Sequence, residues 1–158
     1  MTELIQIITG YLGSIGFSIL FNLRGRKLVI ASLGGLLSWT VYVLLFPVLP
    51  DEPARYCICA MCITVYSEVF ARVEKTPTTS FLVPSAIPLI PGSALYYTMN
   101  YALNEQWRLF AEKAFYTIEL AFFLAVGVIA ITTLTRLWTR LMHKLKKHPH
   151  PSHFHNNV

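Results

Sequence analysis

Charge is what this chain has least of. Only 13% of its 158 residues are Asp, Glu, Lys or Arg, against 54% hydrophobic, and its mean hydropathy is +0.52. A soluble domain carries roughly 25% charged residues to keep its surface wet. That class is excluded, and the bilayer is the expected solvent. Histidine is missing before His143, and no apolar run places two carboxylates on one helix face. Without a nucleophile and base, or a metal cluster, the apolar region offers no enzyme chemistry. Lys and Arg are absent before Arg24, so the start lacks the basic region of a secretory signal peptide, and the run from Leu4 is expected to stay as a span. Internal repeats and low-complexity linkers are lacking too, which leaves a single polytopic domain over residues 1–141.

What is present is a succession of apolar runs near 20 residues, the length that crosses a bilayer as a helix. Five are expected to span: 4–21, 28–49, 56–73, 81–103 and 114–134. The expected fold is therefore an all-α membrane protein of about five transmembrane helices. Residues 142–158 form a basic, histidine-rich tail expected to be flexible and cytoplasmic. With the N-terminus outside, the inner side collects Arg24, Arg26, Lys27, Arg72, Lys75, Arg136, Arg140, Lys144, Lys146 and Lys147. The outer side keeps Arg55, Arg108 and Lys113, so the positive-inside rule favours this orientation ten to three. A re-entrant fourth segment would reduce the bias to seven against six, so that segment is expected to cross. The net charge of +5 then means orientation and contact with lipid, not nucleic acid. Trp107 and Trp138 suit interfacial belts or packing.

The fourth run is the unusual one. Pro84, Pro88 and Pro91 interrupt it, each removing a backbone donor and clashing with the carbonyl four residues earlier. The carbonyls of Ser80, Pro84 and Ile87 lose their ordinary partners. Broken backbone at membrane depth survives only where it packs in protein or lines a watery cavity, so the break points to a translocation site. Pro91-Gly92-Ser93 reads as a break, a flexible glycine and a helix N-cap. A half-helix restarting near Ser93 would aim free amides and its positive dipole end at a carboxylate. The alternative is a packed kink that binds nothing.

Charge inside the spans is scarce and therefore informative. Glu68 lies in the third run with Arg72 one turn later, and Cys57, Met61, Thr64, Glu68 and Arg72 share one helix face. An ionisable group there costs on the order of 3 kcal/mol to insert, so it should face the bundle interior or water. It reads either as a substrate or proton group or as an ion pair clamping helices. Glu119 in the fifth run sits near the outer interface and is weaker. Gly10, Gly13, Gly16, Ala31 and Gly35 allow helices to approach closely. Cys57, Cys59 and Cys62 fall on different faces with no fourth thiol or histidine nearby, so they read as small apolar side chains and no metal site is expected. His143, His148, His150, His153 and His155 read as a solvated tail beside anionic lipid.

Three stretches together resemble a known family. They are Phe21-Asn22-Leu23-Arg24-Gly25-Arg26-Lys27-Leu28 after the glycine-containing first span, Glu68-Val69-Phe70-Ala71-Arg72, and Val83-Pro84-Ser85-Ala86-Ile87-Pro88-Leu89-Ile90-Pro91-Gly92 followed by Leu95-Tyr96-Tyr97-Thr98. In this order they are similar to the small, all-membrane module of the bacterial threonine/serine exporters, from about Gly13 to Thr133. The histidine-rich tail has no counterpart, and Leu23-Arg24 stands where a proline is common in such families. The resemblance implies export of threonine, serine or a related amino acid, or of a dicarboxylate, across the bacterial cell membrane without a cofactor. It also implies a larger partner subunit, because this chain resembles only half of the longer exporters. The family motifs map onto Asn22, Arg26, Glu68, Arg72, Pro84, Pro88, Pro91 and Gly92. The expected substrate residues are Glu68, Pro84, Ser85, Pro88, Pro91, Gly92 and Ser93, supported by Asn22, Arg26, Arg72 and Glu119. A non-transporting scaffold or regulatory subunit is the alternative. Whether copies of the chain also form a homo-oligomer is left open.

Overall fold

The computed structural model describes residues 2–146, with side chains from Glu3 to Met142. Its regular structure is helical throughout: α1 (Thr2–Leu20), α2 (Arg26–Leu45), α3 (Glu52–Val73), α4 (Thr79–Ala86), a 3-10 turn (Ile87–Leu89), α5 (Gly92–Leu103) and α6 (Trp107–Lys146). Four helices are long and apolar enough to cross a membrane: Glu3–Leu20, Arg26–Leu45, Glu52–Val73 and Trp107–Met142. The all-helical expectation holds, but the fourth expected span is not one helix. Pro84 sits inside α4, Pro88 inside the 3-10 turn and Pro91 at the start of α5. The tighter turn takes up part of the broken bonding, since the Ile90 amide donates to the Ile87 carbonyl at 3.2 Å.

Helix ends explain three other sequence features. α3 starts after Asp51 with Pro53 in its first turn, where a missing amide hydrogen costs nothing. Its start lies four residues before the expected boundary at Tyr56. α1, α3 and α5 all close with a left-handed residue, Asn22, Lys75 and Glu105 in turn. In each case the next amide reaches back five residues, as in Leu23 to the Ser18 carbonyl at 3.0 Å and Thr76 to that of Ala71 at 3.0 Å. This is the Schellman closure, and it gives Asn22 a backbone role. α6 is the largest departure: 40 residues where a 21-residue span was expected, or about 60 Å, twice the hydrocarbon thickness. It continues through Lys146, so the first residues of the expected tail are helical, and the rest of the tail lies outside the described residues.

α3 is the hub. It packs against α2, α4 and α6, while α1 packs on α2 and on the 3-10 turn, and α5 packs chiefly along α6. Small residues set the closest crossings. A side chain on Gly34 or Gly35 would run into the hydroxyls of Ser85 and Ser14, and one on Gly127 would press on the Cys57 carbonyl and lie 2.8 Å from the Ala60 methyl. At its Cys57 end the polar stripe expected on α3 lies against Gly127 of α6, while Arg72 at the other end is exposed. Between the polar ends lies a dry core of Tyr56, Cys59, Ile63, Leu89, Ala94 and Leu120, and a second cluster joins Ile30, Ala31, Ala71 and Phe81.

Candidate functional site

The proline break brings α1, α2, α3 and α5 together around two adjoining cavities. Gly10 lets Pro88 approach α1: a methyl at that glycine would sit 3.4 Å from the Pro88 ring and 3.6 Å from Trp39. A shallow cavity of about 270 Å³ opens there, lined by Gln6, Thr9, Gly10, Gly13, Trp39, Ile87 and Pro88. Gln6 and Trp39 also line a second cavity of about 380 Å³, more enclosed, whose other walls include Glu3, Tyr42, Phe46, Glu52, Tyr56 and Ser93.

Of the two carboxylates on this cavity wall, Glu3 and Glu52, Glu52 is the one held by hydrogen bonds from neighbouring helices. One carboxylate oxygen accepts from the Tyr42 hydroxyl of α2 at 2.9 Å, and the other accepts from the Tyr116 hydroxyl of α6. Tyr42 is itself held between Trp39, stacked at 4.9 Å, and Tyr56, edge-on at 5.5 Å. Arg55, one turn along α3, is buried at 4% exposure, with its guanidinium over the rings of Tyr42 at 5.0 Å and Phe46 at 4.7 Å. Among the described residues its Nε and Nη1 have no hydrogen-bond partner, and neither does the Trp39 indole nitrogen. Such buried donors cost free energy until something accepts from them.

α5 begins beside this carboxylate. Its helix starts at Gly92 with Pro91 in the cap position, so Ser93 lies in the first turn and is not the N-cap that its sequence suggested. The Gly92 amide donates to Ile90 and that of Leu95 to Pro91. The intervening amides of Ser93 and Ala94 have no backbone acceptor among the described residues, which puts the positive end of α5 at the cavity wall. Glu52 and Ser93 at the start of α5 therefore line one cavity, a carboxylate suited to an ammonium group beside a helix start suited to a carboxylate.

The residues expected to act together are divided. Pro88, Pro91, Gly92 and Ser93 gather at the Glu52 end. Pro84 and Ser85 are buried in the contact of α4 with α2, where the Ser85 hydroxyl donates to Phe81 at 2.7 Å and lies 3.4 Å from the Ala31 carbonyl. Glu68 and Arg72 pair at 3.1 Å near the other end of α3, 16 residues or about 24 Å from Glu52. They share a crevice of about 440 Å³ with Thr78, Thr135, Arg136, Thr139 and Arg140. Arg26 pairs with Glu74 at 3.0 Å at that same end, and the Asn22 side chain accepts from Arg24 at 3.2 Å. Glu119 is exposed on α6, apart from both groups. Sequence reasoning missed Glu52, Tyr42 and Tyr116. The available signal was an acidic first turn ahead of Pro53 with tyrosines near the same ends of neighbouring spans, but Tyr116 lies 64 positions from Glu52.

The family model described as threonine/serine exporter, ThrE, matches residues 6–134. That stretch runs from α1 through most of α6 and includes Glu52, Glu68 and the whole proline break. No curated protein and no solved structure shows a significant match to the chain.

Proposed function

The chain belongs to the threonine/serine exporter family, and we propose that it is one subunit of a two-component exporter that receives a small zwitterionic amino acid in the cavity beside the α5 break. Its class is multi-pass membrane transport; the larger partner, the substrate and the placement in a bacterial cell membrane with the N-terminus outside are our reading. The observation that carries it is the meeting of Glu52 and the free start of α5 on one cavity. An amino acid presents an ammonium and a carboxylate a few ångströms apart, and this cavity presents their complements. A dicarboxylate would face Glu52 with like charge, which favours threonine or serine over the dicarboxylate alternative.

Support for a partner comes from what α5 and α6 leave uncovered. α5 exposes Leu95, Tyr96, Tyr97, Met99 and Leu103, and α6 exposes Phe115, Ile118 and Phe122 around Glu119. A carboxylate on such a face is costly against lipid and is better placed against protein or water.

The test is efflux from vesicles loaded with radiolabelled threonine, serine or succinate. The chain reconstituted with its larger companion should release threonine and serine, and succinate more slowly. The chain alone should release none of them. Robust efflux from the single chain would sink the two-component reading, and succinate leaving as fast as threonine would sink the zwitterion site.

A further inference from the structure

The Glu68–Arg72 crevice carries more positive charge than its own residues compensate. Arg72, Arg136 and Arg140 line it with Glu68 as the sole lining carboxylate, and Glu68 is already paired with Arg72. Arg136 and Arg140 stand one turn apart on α6, a repulsive arrangement, and neither has an acidic partner among the described residues. The two threonine hydroxyls on α6 do not relieve this: Thr135 donates to the Thr132 carbonyl at 3.1 Å and Thr139 to that of Thr135 at 2.8 Å. The donors left for a ligand are the Thr78 hydroxyl and the guanidinium groups, whose planar forks suit phosphate oxygens.

The crevice is also continuous with apolar space. Arg72 and Thr135 line a second hollow of about 330 Å³ with Leu134 and Trp138, and Arg136 lines a third of about 310 Å³ with Val128, Ile129, Thr132 and Thr133. A cationic mouth opening into grooves along an apolar helix has the shape of an amphiphile. In the orientation read from Lys and Arg placement, this mouth lies at the cytoplasmic leaflet, where anionic headgroups concentrate.

We propose that the α3–α6 crevice binds the phosphate headgroup of an anionic phospholipid, with an acyl chain lying along α6 beside Leu134 and Trp138. Arg136 and Arg140 take the phosphate while Arg72 stays shared with Glu68. Occupancy relieves the repulsion on α6 and fixes that end of α6 against α3, next to Glu68.

The experiment uses the full chain in a neutral detergent, with bound lipid counted by native mass spectrometry against dioleoyl phosphatidylglycerol or dioleoyl phosphatidylcholine. Phosphatidylglycerol should bind about tenfold or more tightly, a preference that Arg136→Gln with Arg140→Gln should abolish. Neutralising Lys144, Lys146 and Lys147 to Gln should leave it intact, which separates the crevice from a diffusely basic tail. Arg136→Lys with Arg140→Lys, which keeps the charge, should retain most of it. Inorganic phosphate or succinate at millimolar concentration should not displace the lipid. Equal binding of the two lipids to the unaltered chain overturns the proposal whether or not any variant folds. Survival of the preference in the glutamine variant, or displacement by free phosphate or succinate, overturns it as well, the last by making the crevice a site for soluble anions.

Discussion

Replacing Glu52 by glutamine tests the proposed site with the least change in shape. In the native cavity the carboxylate accepts from both Tyr42 and Tyr116. The glutamine oxygen can keep one of these bonds, and its amide can donate to the other hydroxyl oxygen. What is lost is the charge assistance, about 1 kcal/mol of stability across the pair, which should leave folding and assembly intact. The loss to substrate is larger. A hydrogen-bonded ammonium–carboxylate contact in a sheltered site contributes about 2–3 kcal/mol, so Glu52→Gln should lower export of threonine about 30- to 150-fold at limiting substrate. Tyr116→Phe removes one orienting hydroxyl and keeps the charge, for a loss of about 1 kcal/mol, or roughly fivefold. Efflux from preloaded cells making the chain with its companion, normalised to chain assembled in the membrane, reads both numbers. Wild-type efflux from the Glu52→Gln protein at normal abundance would refute the assignment. Loss of assembly in step with loss of efflux would make the three side chains a structural latch between α2, α3 and α6.

Glu68→Gln should abolish the dependence of efflux on a pH gradient while the protein still assembles; loss of assembly would instead show that the Glu68–Arg72 pair is a clamp. Single cysteines at Gly92 and Ser93, in a chain lacking Cys57, Cys59 and Cys62, should react with a water-soluble thiol reagent and be protected by threonine. One at Ser85, wholly buried against α2, should stay unreactive, and reversal of that pattern would place the water path along α4. Gly127→Leu should cost about 1–3 kcal/mol by overpacking against the Cys57 carbonyl, whereas Gly16→Leu, with open space around it, should melt like the wild type.

The helical membrane class was legible because apolar runs of bilayer length admit few other structures, and the break was legible because proline marks where helical bonding must fail. Proline does not say where the chain goes next. The same three residues would allow a kinked span, and what distinguishes the observed split into α4, a 3-10 turn and α5 is the packing of α5 on α6, including the 3.3 Å contact between the hydroxyls of Thr98 and Thr117. The third span began earlier than expected because an apolar count stops at Arg55, although a buried arginine over two aromatic rings is still helix interior. α6 outran its apolar core for a similar reason: Arg108, Glu112 and Lys113 end a hydropathy window but not a helix. Asn22 and Arg26 drew notice as motif residues, and the structure gives each a local task, one in closing α1 and the other in pairing with Glu74. Glu52 was passed over because its meaning lies in Tyr42 and Tyr116, and no local pattern ties a residue to a partner 64 positions along the chain.

The distance between the two polar ends bears on how such a chain could move anything. Glu52 and Glu68 sit on one helix about 24 Å apart, and the space between them inside this chain is filled by Tyr56, Cys59, Ile63, Leu89 and Leu120. These side chains are almost wholly buried and bring no charged group to the interval. A hydrophilic substrate carried through that core would shed its water without replacement, a cost of several kcal/mol for each ionised group. A route joining the ends must therefore run over the outside of the bundle, where lipid would be no better a solvent. In the two-component reading proposed above, the surface of the larger subunit walls such a route. The uncovered faces of α5 and α6 lie beside the Glu52 cavity, so the proposed partner and the proposed site draw on the same geometry: in that proposal this chain supplies one polar wall and the larger subunit the other.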